Sequence, residues 1–181
     1  MNTNSKSKFN AKEIAIYGLF IALVYIATTI NIQIGSTSGG LFHLGNVMSF
    51  TIAMVFGKKA GALSGGIGMA LFDILSPYAV WAPFTLIIRL IMGYDIGYFA
   101  FKASNSKKQS IINNSIGLII AFIVMIVGYY VAEGLIYGNW IIPLQSVFAN
   151  ALQCIVGTLI AVPISTALRA GFKVRHIKTE I

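Results

Sequence analysis

The sequence predicts an all-α membrane protein, a single bundle of six transmembrane helices with both termini in the cytoplasm. Three observations predict it. The first is composition: 57% of the 181 residues are hydrophobic and only 10% are charged, where a soluble domain carries roughly a quarter of charged residues. A soluble fold this short cannot hide so much apolar surface, so the excess faces lipid. The second is run length. The apolar residues cluster in stretches approaching the roughly 20 residues of a membrane-crossing helix, and none alternates with the period of two that a membrane barrel requires. The third is charge: the basic residues crowd into alternate connections.

The spans fall at about 13–34, 42–56, 60–75, 84–101, 111–131 and 142–170, within one domain covering 1–181. The leading "MNTNSKSKFNAKE" does not read as a cleavable signal, because the apolar run after it is too long and no small-residue site closes it. On the first span Ala11, Ala15, Gly18 and Ala22 fall on one narrow helical face. Such a face packs inside the bundle or docks another membrane protein. The second and third spans are short. The third is rich in glycine, and its Ala62, Gly66 and Ala70 form another small-residue stripe suited to close internal packing. The fourth follows the turn at Ala82-Pro83 and carries Arg89 and Asp95. The fifth is a continuous apolar run. The sixth places Ser146, Asn150, Gln153, Gly157 and Ala161 on one face, polar in the first half and small in the second. That pattern reads as a polar site followed by close packing, or as interhelical hydrogen bonding. Pro143 suits its start. The single cysteine, Cys154, excludes a disulfide framework.

The charge pattern sets the threading. Lys6, Lys8 and Lys12 precede the first span, Lys58 and Lys59 separate the second and third, Lys102, Lys107 and Lys108 separate the fourth and fifth, and Arg169, Lys173, Arg175 and Lys178 follow the sixth. The opposite connections, "NIQIGSTSGGLFHL", "SPYAVWAP" and "AEGLIYGNWI", hold no lysine or arginine. The positive-inside rule then puts both termini in the cytoplasm. The net charge of +8 therefore reports topology, and no stacking pattern or fold points to nucleic acid.

The outer connections carry different chemistry: His43, Tyr78, Trp81, Glu133, Tyr137 and Trp140. Tryptophan and tyrosine anchor helices at the membrane interface. Here they accompany a lone acid and a lone histidine, and aromatic walls with a few polar groups suit a small flat ligand. Inside the bundle, Asp73 and Arg89 flank the hairpin between the third and fourth spans. Intramembrane charge is costly and marks a partner or a function. The two either clip the hairpin together, directly or through water, or Arg89 reaches a ligand. The chain carries no nucleotide-binding motif, nucleophile dyad, metal-binding histidine pair or proton-relay row. No catalytic residue, metal ligand or cofactor is expected.

The stretch "GGLFHLGNVMSFTIAMVFGKKAGALSGGIGMALFDILSPYAVWAPFTLIIRLIMG" resembles the substrate-binding S components of energy-coupling factor (ECF) vitamin transporters, most of all the hydroxymethylpyrimidine and pyridoxine-type branch. The resemblance rests on "HLGN", "LFDILSPY" and "APFTLIIRLIMG". Asn46 replaces the family's usual acid, Pro77 its glycine and Arg89 its lysine. It implies a vitamin captured from outside, between the first loop and the outer ends of the later spans. It also implies a transmembrane coupling protein and two cytoplasmic ATPases as partners, docked on Ala11, Ala15, Gly18 and Ala22. The candidate vitamin site is then His43, Tyr78, Trp81, Arg89, Glu133, Tyr137, Trp140, Asn150 and Gln153, with "GSTSGG" as a flexible lid. The ligand is expected to be hydroxymethylpyrimidine, a thiamine-precursor pyrimidine, or pyridoxine. Pantothenate or riboflavin are the alternatives within the family, and a self-sufficient small-solute transporter is the alternative outside it.

Overall fold

The computed structural model describes residues 11–33, 41–102 and 106–171. The "GSTSGG" stretch, Lys6 and Lys8, and Lys173, Arg175 and Lys178 lie outside the described residues. Within them the chain forms six α-helices, α1 (Ala11–Thr29), α2 (Gly45–Phe56), α3 (Lys58–Ile74), α4 (Ala82–Ala100), α5 (Lys107–Tyr137) and α6 (Leu144–Gly171), with a two-stranded antiparallel pair, β1 (Asn31–Gln33) and β2 (Leu41–His43), between the first two. Four stretches are long and apolar enough to cross a membrane: Ala11–Thr29, Ala79–Ala100, Lys107–Tyr137 and Leu144–Gly171. α2 and α3 are shorter.

Each boundary has a local cause. The first span was expected to reach residue 34, but α1 stops at Thr29. The hydroxyls of Thr28 and Thr29 bond back to the carbonyls of Val24 and Ile26, and the Asn31 amide donates to the carbonyls of Thr28 and Thr29. Asn31 thereby satisfies the orphan carbonyls of the helix end. The chain then turns extended, and Ile32 pairs with Phe42 in the short ladder. The second span accordingly starts at Gly45 rather than at residue 42. α2 ends at Gly57, whose φ of 90° is open to glycine and strained for other residues. Pro83 sits in the first turn of α4, where a missing N–H costs nothing. Ser106 caps α5 by accepting from the Gln109 N–H. α5 runs well past both ends of the expected span, and it stops at Gly138 in the left-handed conformation.

Two apolar cores share α2. One joins Phe50, Met54, Ile88, Met92, Met125 and Tyr129; the other joins Tyr17, Phe20, Val24, Ile52 and Met69. The small-residue stripe of α3 packs inward, as its composition suggested. A side chain at Gly93 or Gly97 would run into the backbone of Gly61 or Lys58, and one at Gly68 would press on Val24 and the Ile21 carbonyl. The face of α1 bearing Ala11, Ala15, Gly18 and Ala22 is the opposite case. All four are exposed, and nothing lies within 4 Å of a methyl built at Gly18.

At the end of the bundle that holds Lys12, Lys58, Lys59, Lys102, Lys107 and Lys108, Arg169 closes the structure. Its guanidinium donates to the carbonyls of Met54 and Ala100, the last turns of α2 and α4, and lies over the Phe101 ring. Arginine there satisfies two sets of orphan carbonyls and complements two helix dipoles.

The contrast between the two glycine faces is testable by thermal melting of the purified protein. Gly93→Val overpacks the α3–α4 contact at a cost of about 2 kcal/mol or more and lowers the melting temperature by at least about 5 °C. Gly18→Val leaves it unchanged.

Candidate functional site

At the opposite end of the bundle the helices part around a cavity of about 400 Å³. α3 reaches it with Met69 and Asp73, the α3–α4 turn with Pro77, Tyr78, Val80 and Trp81, and α4 with Thr85 and Arg89. Tyr129, Glu133 and Tyr137 line it from α5, Asn150 and Gln153 from α6, Thr28 from α1, and Leu41 and His43 from β2. Of the nine residues expected at the site, eight therefore share this cavity: His43, Tyr78, Trp81, Arg89, Glu133, Tyr137, Asn150 and Gln153. Trp140 does not line it. The left-handed Gly138 and the Asn139 side chain, which accepts from the N–H groups of Ile141 and Ile142, swing Trp140 away. Its ring packs against Gly134 and Tyr130 on the outer side of α5, half exposed.

The wall is aromatic on one side. Trp81 meets Tyr137 edge to face with ring centroids 6.0 Å apart, and Tyr78 stacks on Phe72. The other side is polar and buried. The stripe on α6 faces inward throughout: Ser146, Asn150, Gln153, Gly157 and Ala161 are all buried. His43 Nδ1 accepts from the Gly45 N–H at 3.1 Å, which leaves the ring proton on Nε2. Burial, and then the charge of Arg89, hold its pKa well below the usual imidazole value, so His43 is neutral. The Gln153 amide nitrogen stands 2.9 and 3.2 Å from the two ring nitrogens, across the ring rather than on one lone pair.

Arg89 is 3% exposed. Its Nη1 donates to Asn46 Oδ1 and lies near the Met125 and Met92 sulfurs, and its Nε donates to Tyr129 Oη at 3.2 Å. The guanidinium also lies 5.2 Å from the centroid of the Tyr129 ring. Arg89 and Asp73 were expected either to clip their hairpin or to serve a ligand. Among the described residues they form no direct ion pair. Two hydroxyls stand between them instead: Tyr129, which accepts from Arg89 Nε, donates to Thr85 Oγ1 at 3.2 Å, and Thr85 stands near Asp73.

Sequence reasoning missed Tyr129, Thr85 and Thr28. Tyr129 stands one turn before Glu133 and Thr85 one turn before Arg89, each on the same helical face as its charged neighbour. That spacing was the available signal. Tyrosine at an apolar helix position passes for core, and threonine for a neutral spacer.

Comparison with known proteins fits this arrangement. Residues 8–170 match the family model described as ECF-type riboflavin transporter, S component. The thiamine precursor transporter HmpT of Lactococcus lactis subsp. cremoris (strain MG1363) is 26% identical over 170 residues, covering 91% of this chain and 95% of that protein. An uncharacterised Pyrococcus woesei protein encoded in the gap 3′ region is 33% identical over 101 residues, 56% of this chain and 64% of its own. A solved structure of the S component of a bacterial ECF transporter superposes with a TM-score of 0.66 at 21% identity, covering 91% of this chain and 98% of that one.

The Arg89 geometry yields a prediction about Asn46. Asn46→Leu leaves a buried guanidinium donor without an acceptor and costs about 2–3 kcal/mol. Asn46→Asp keeps an oxygen where Asn46 Oδ1 stands and adds a countercharge, so it melts at or above the parent temperature. Equal losses in the two variants, by the same melting assay, would break the assignment of Asn46 as the acceptor.

Proposed function

The chain belongs to the ECF-type riboflavin transporter S-component family, and from that premise we propose that it is the vitamin-capturing subunit of an ECF importer whose ligand is a pyrimidine precursor of thiamine. The observation that carries this reading is the cavity. Its volume of about 400 Å³ falls within the range of small-molecule sites. Trp81, Tyr137 and Tyr78 offer ring faces, and Glu133, Asn150, Gln153 and His43 offer convergent polar groups. A flat heterocycle stacked on such walls gains roughly 0.5–1.5 kcal/mol per ring pair beyond area burial. The relative over nearly the whole chain is named for a thiamine precursor, which supports a pyrimidine. Riboflavin is the second reading, favoured by the name of the matching family model.

The six helices cross the membrane with both termini in the cytoplasm, so the cavity opens outward. The basic end of the bundle supports this orientation by the positive-inside rule. The exposed face of Ala11, Ala15, Gly18 and Ala22 is the docking surface for a transmembrane coupling protein, which itself carries two cytoplasmic ATPases. Its exposure among the described residues supports that role, since small residues let a partner helix approach closely.

Isothermal titration of the purified protein against a vitamin panel tests the ligand. Hydroxymethylpyrimidine binds, and Asn150→Ala weakens it by about tenfold, the loss of one net hydrogen bond. Riboflavin as the tightest ligand would replace the pyrimidine reading with the second one. Unchanged affinity in Asn150→Ala would remove that residue from the site.

Docking is tested separately. Co-expressed with the coupling protein and ATPases, Gly18→Leu loses the ATPases on purification while the isolated variant keeps its melting temperature and ligand affinity. Retention of the ATPases would move the docking face elsewhere.

A further inference from the structure

The polar atoms of the cavity are unevenly satisfied. Asp73 is 7% exposed and Glu133 3%. A hydroxyl stands near each carboxyl, Thr85 near Asp73 and Ser146 near Glu133. One oxygen of each, Asp73 Oδ2 and Glu133 Oε2, is buried without a hydrogen-bond partner among the described residues. Gln153 Oε1 is in the same condition. These three oxygens come from three helices, α3, α5 and α6, and all three residues line one cavity. With the His43 ring proton on Nε2, the Gln153 amide turned about places its oxygen on that N–H. A carboxylate has no such alternative, so the unmatched acceptors are those of Asp73 and Glu133.

Of the donors, Arg89 Nε and Nη1 are engaged by Tyr129 and Asn46, and the Tyr129 hydroxyl by Thr85. Two acidic side chains, Asp73 and Glu133, share the cavity with one basic side chain, Arg89. A buried acceptor without a donor costs on the order of 1–3 kcal/mol, more when charged, so native structures leave such atoms open where something else completes them.

We propose that the cavity recognises its ligand through hydrogen-bond donors, and that its ligand class is a heterocycle bearing an amino group or a protonated ring nitrogen, which it presents to Asp73 and Glu133. Anionic and donor-poor ligands are rejected, because they would leave both carboxylates unpaired and add like charge. This inference rests on the cavity being the vitamin site and goes further by naming the ligand's polarity and the two residues that read it. Asp73 becomes a specificity-determining residue beside Glu133, with Thr85 and Tyr129 as positioning residues that hold its carboxyl in place.

The test uses the full chain, purified and titrated calorimetrically with four probes: 4-amino-5-hydroxymethyl-2-methylpyrimidine, the same compound with methyl in place of the amino group, riboflavin and pantothenate. The expected result is that the amino compound binds and its methyl isostere is at least about 100-fold weaker, as for a site built around a donor that the analogue lacks. Glu133→Gln and Asp73→Asn each shrink the gap between amino and methyl compounds, while their melting transitions show a folded protein. Tight binding of riboflavin or of the methyl isostere, unaffected by either substitution, would overturn the inference and leave a vitamin-binding cavity standing. Tight pantothenate binding would do the same. No binding of any probe by a protein with an intact melting transition would overturn both the inference and the vitamin reading beneath it. Should Asp73→Asn fail to fold, Thr85→Val, which removes the hydroxyl that orients Asp73, is expected to narrow the same gap.

Discussion

The structure depends on one buried guanidinium. Arg89 descends from α4 into the apolar core, and a charge there stands only if its donors are matched. Asn46 of α2 and Tyr129 of α5 supply that match, so three helices are tied at a single point. Tyr129 extends the tie to Thr85, which stands near Asp73 of α3. An arginine suits this position better than a lysine. Its planar fork sends Nη1 one way and Nε another, and its face lies on the Tyr129 ring. The thioethers of Met92 and Met125 fill the remaining space with soft, polarizable sulfur.

This tie sits at a boundary between two ways of packing. Toward the basic end, α3 and α4 approach backbone to backbone over Gly61, Gly93 and Gly97, and Arg169 seals the helix ends. No room for a ligand exists where glycine meets glycine. Toward the other end the same two helices carry Asp73, Thr85 and Arg89, larger and polar, and the bundle opens into the cavity. The change from glycine to polar side chains along α3 and α4 thus sets both the depth of the cavity and the chemistry of its floor.

Much of this was legible in the sequence, and the reasons differ by element. The long helices announced themselves by hydropathy. The α6 stripe announced its inward face, because Ser146, Asn150 and Gln153 in a lipid-facing row would be unsatisfiable. The small residues of α1 and α3 were legible as stripes but not as destinations: periodicity is the same whether a stripe meets a neighbour, as on α3, or nothing within the chain, as on α1. The end of α1 was not legible, since Ile30, Ile32 and Ile34 continue its hydropathy while Asn31 ends its geometry. Trp140 was misplaced because loop composition shows which residues are near a site and not which way they turn. Gly138 and Asn139 decide that by backbone conformation and capping. Arg89 and Asp73 were anticipated as a clip, direct or through water, or as a ligand contact of Arg89; Tyr129 and Thr85 stand between them, and hydroxyls carry no charge to betray them.

The position of α1 joins these features. Its C-terminal end contributes Thr28 to the cavity, and its hairpin is pinned back where the Leu44 N–H donates to the Ile30 carbonyl. Its other end exposes Gly18 and Ala15, with nothing among the described residues within 4 Å of a methyl built at Gly18. The buried side of the helix, Tyr17, Phe20 and Val24, is seated on α2 and α3, and Gly68 lets Val24 approach the α3 backbone closely. A helix so seated is packed directly on α3, and α3 carries Asp73. The cavity and the small face of α1 are therefore connected through one packed pair of helices, α1 and α3. The small face stands within one helix of the Asp73 carboxyl, a separation that packing alone can span.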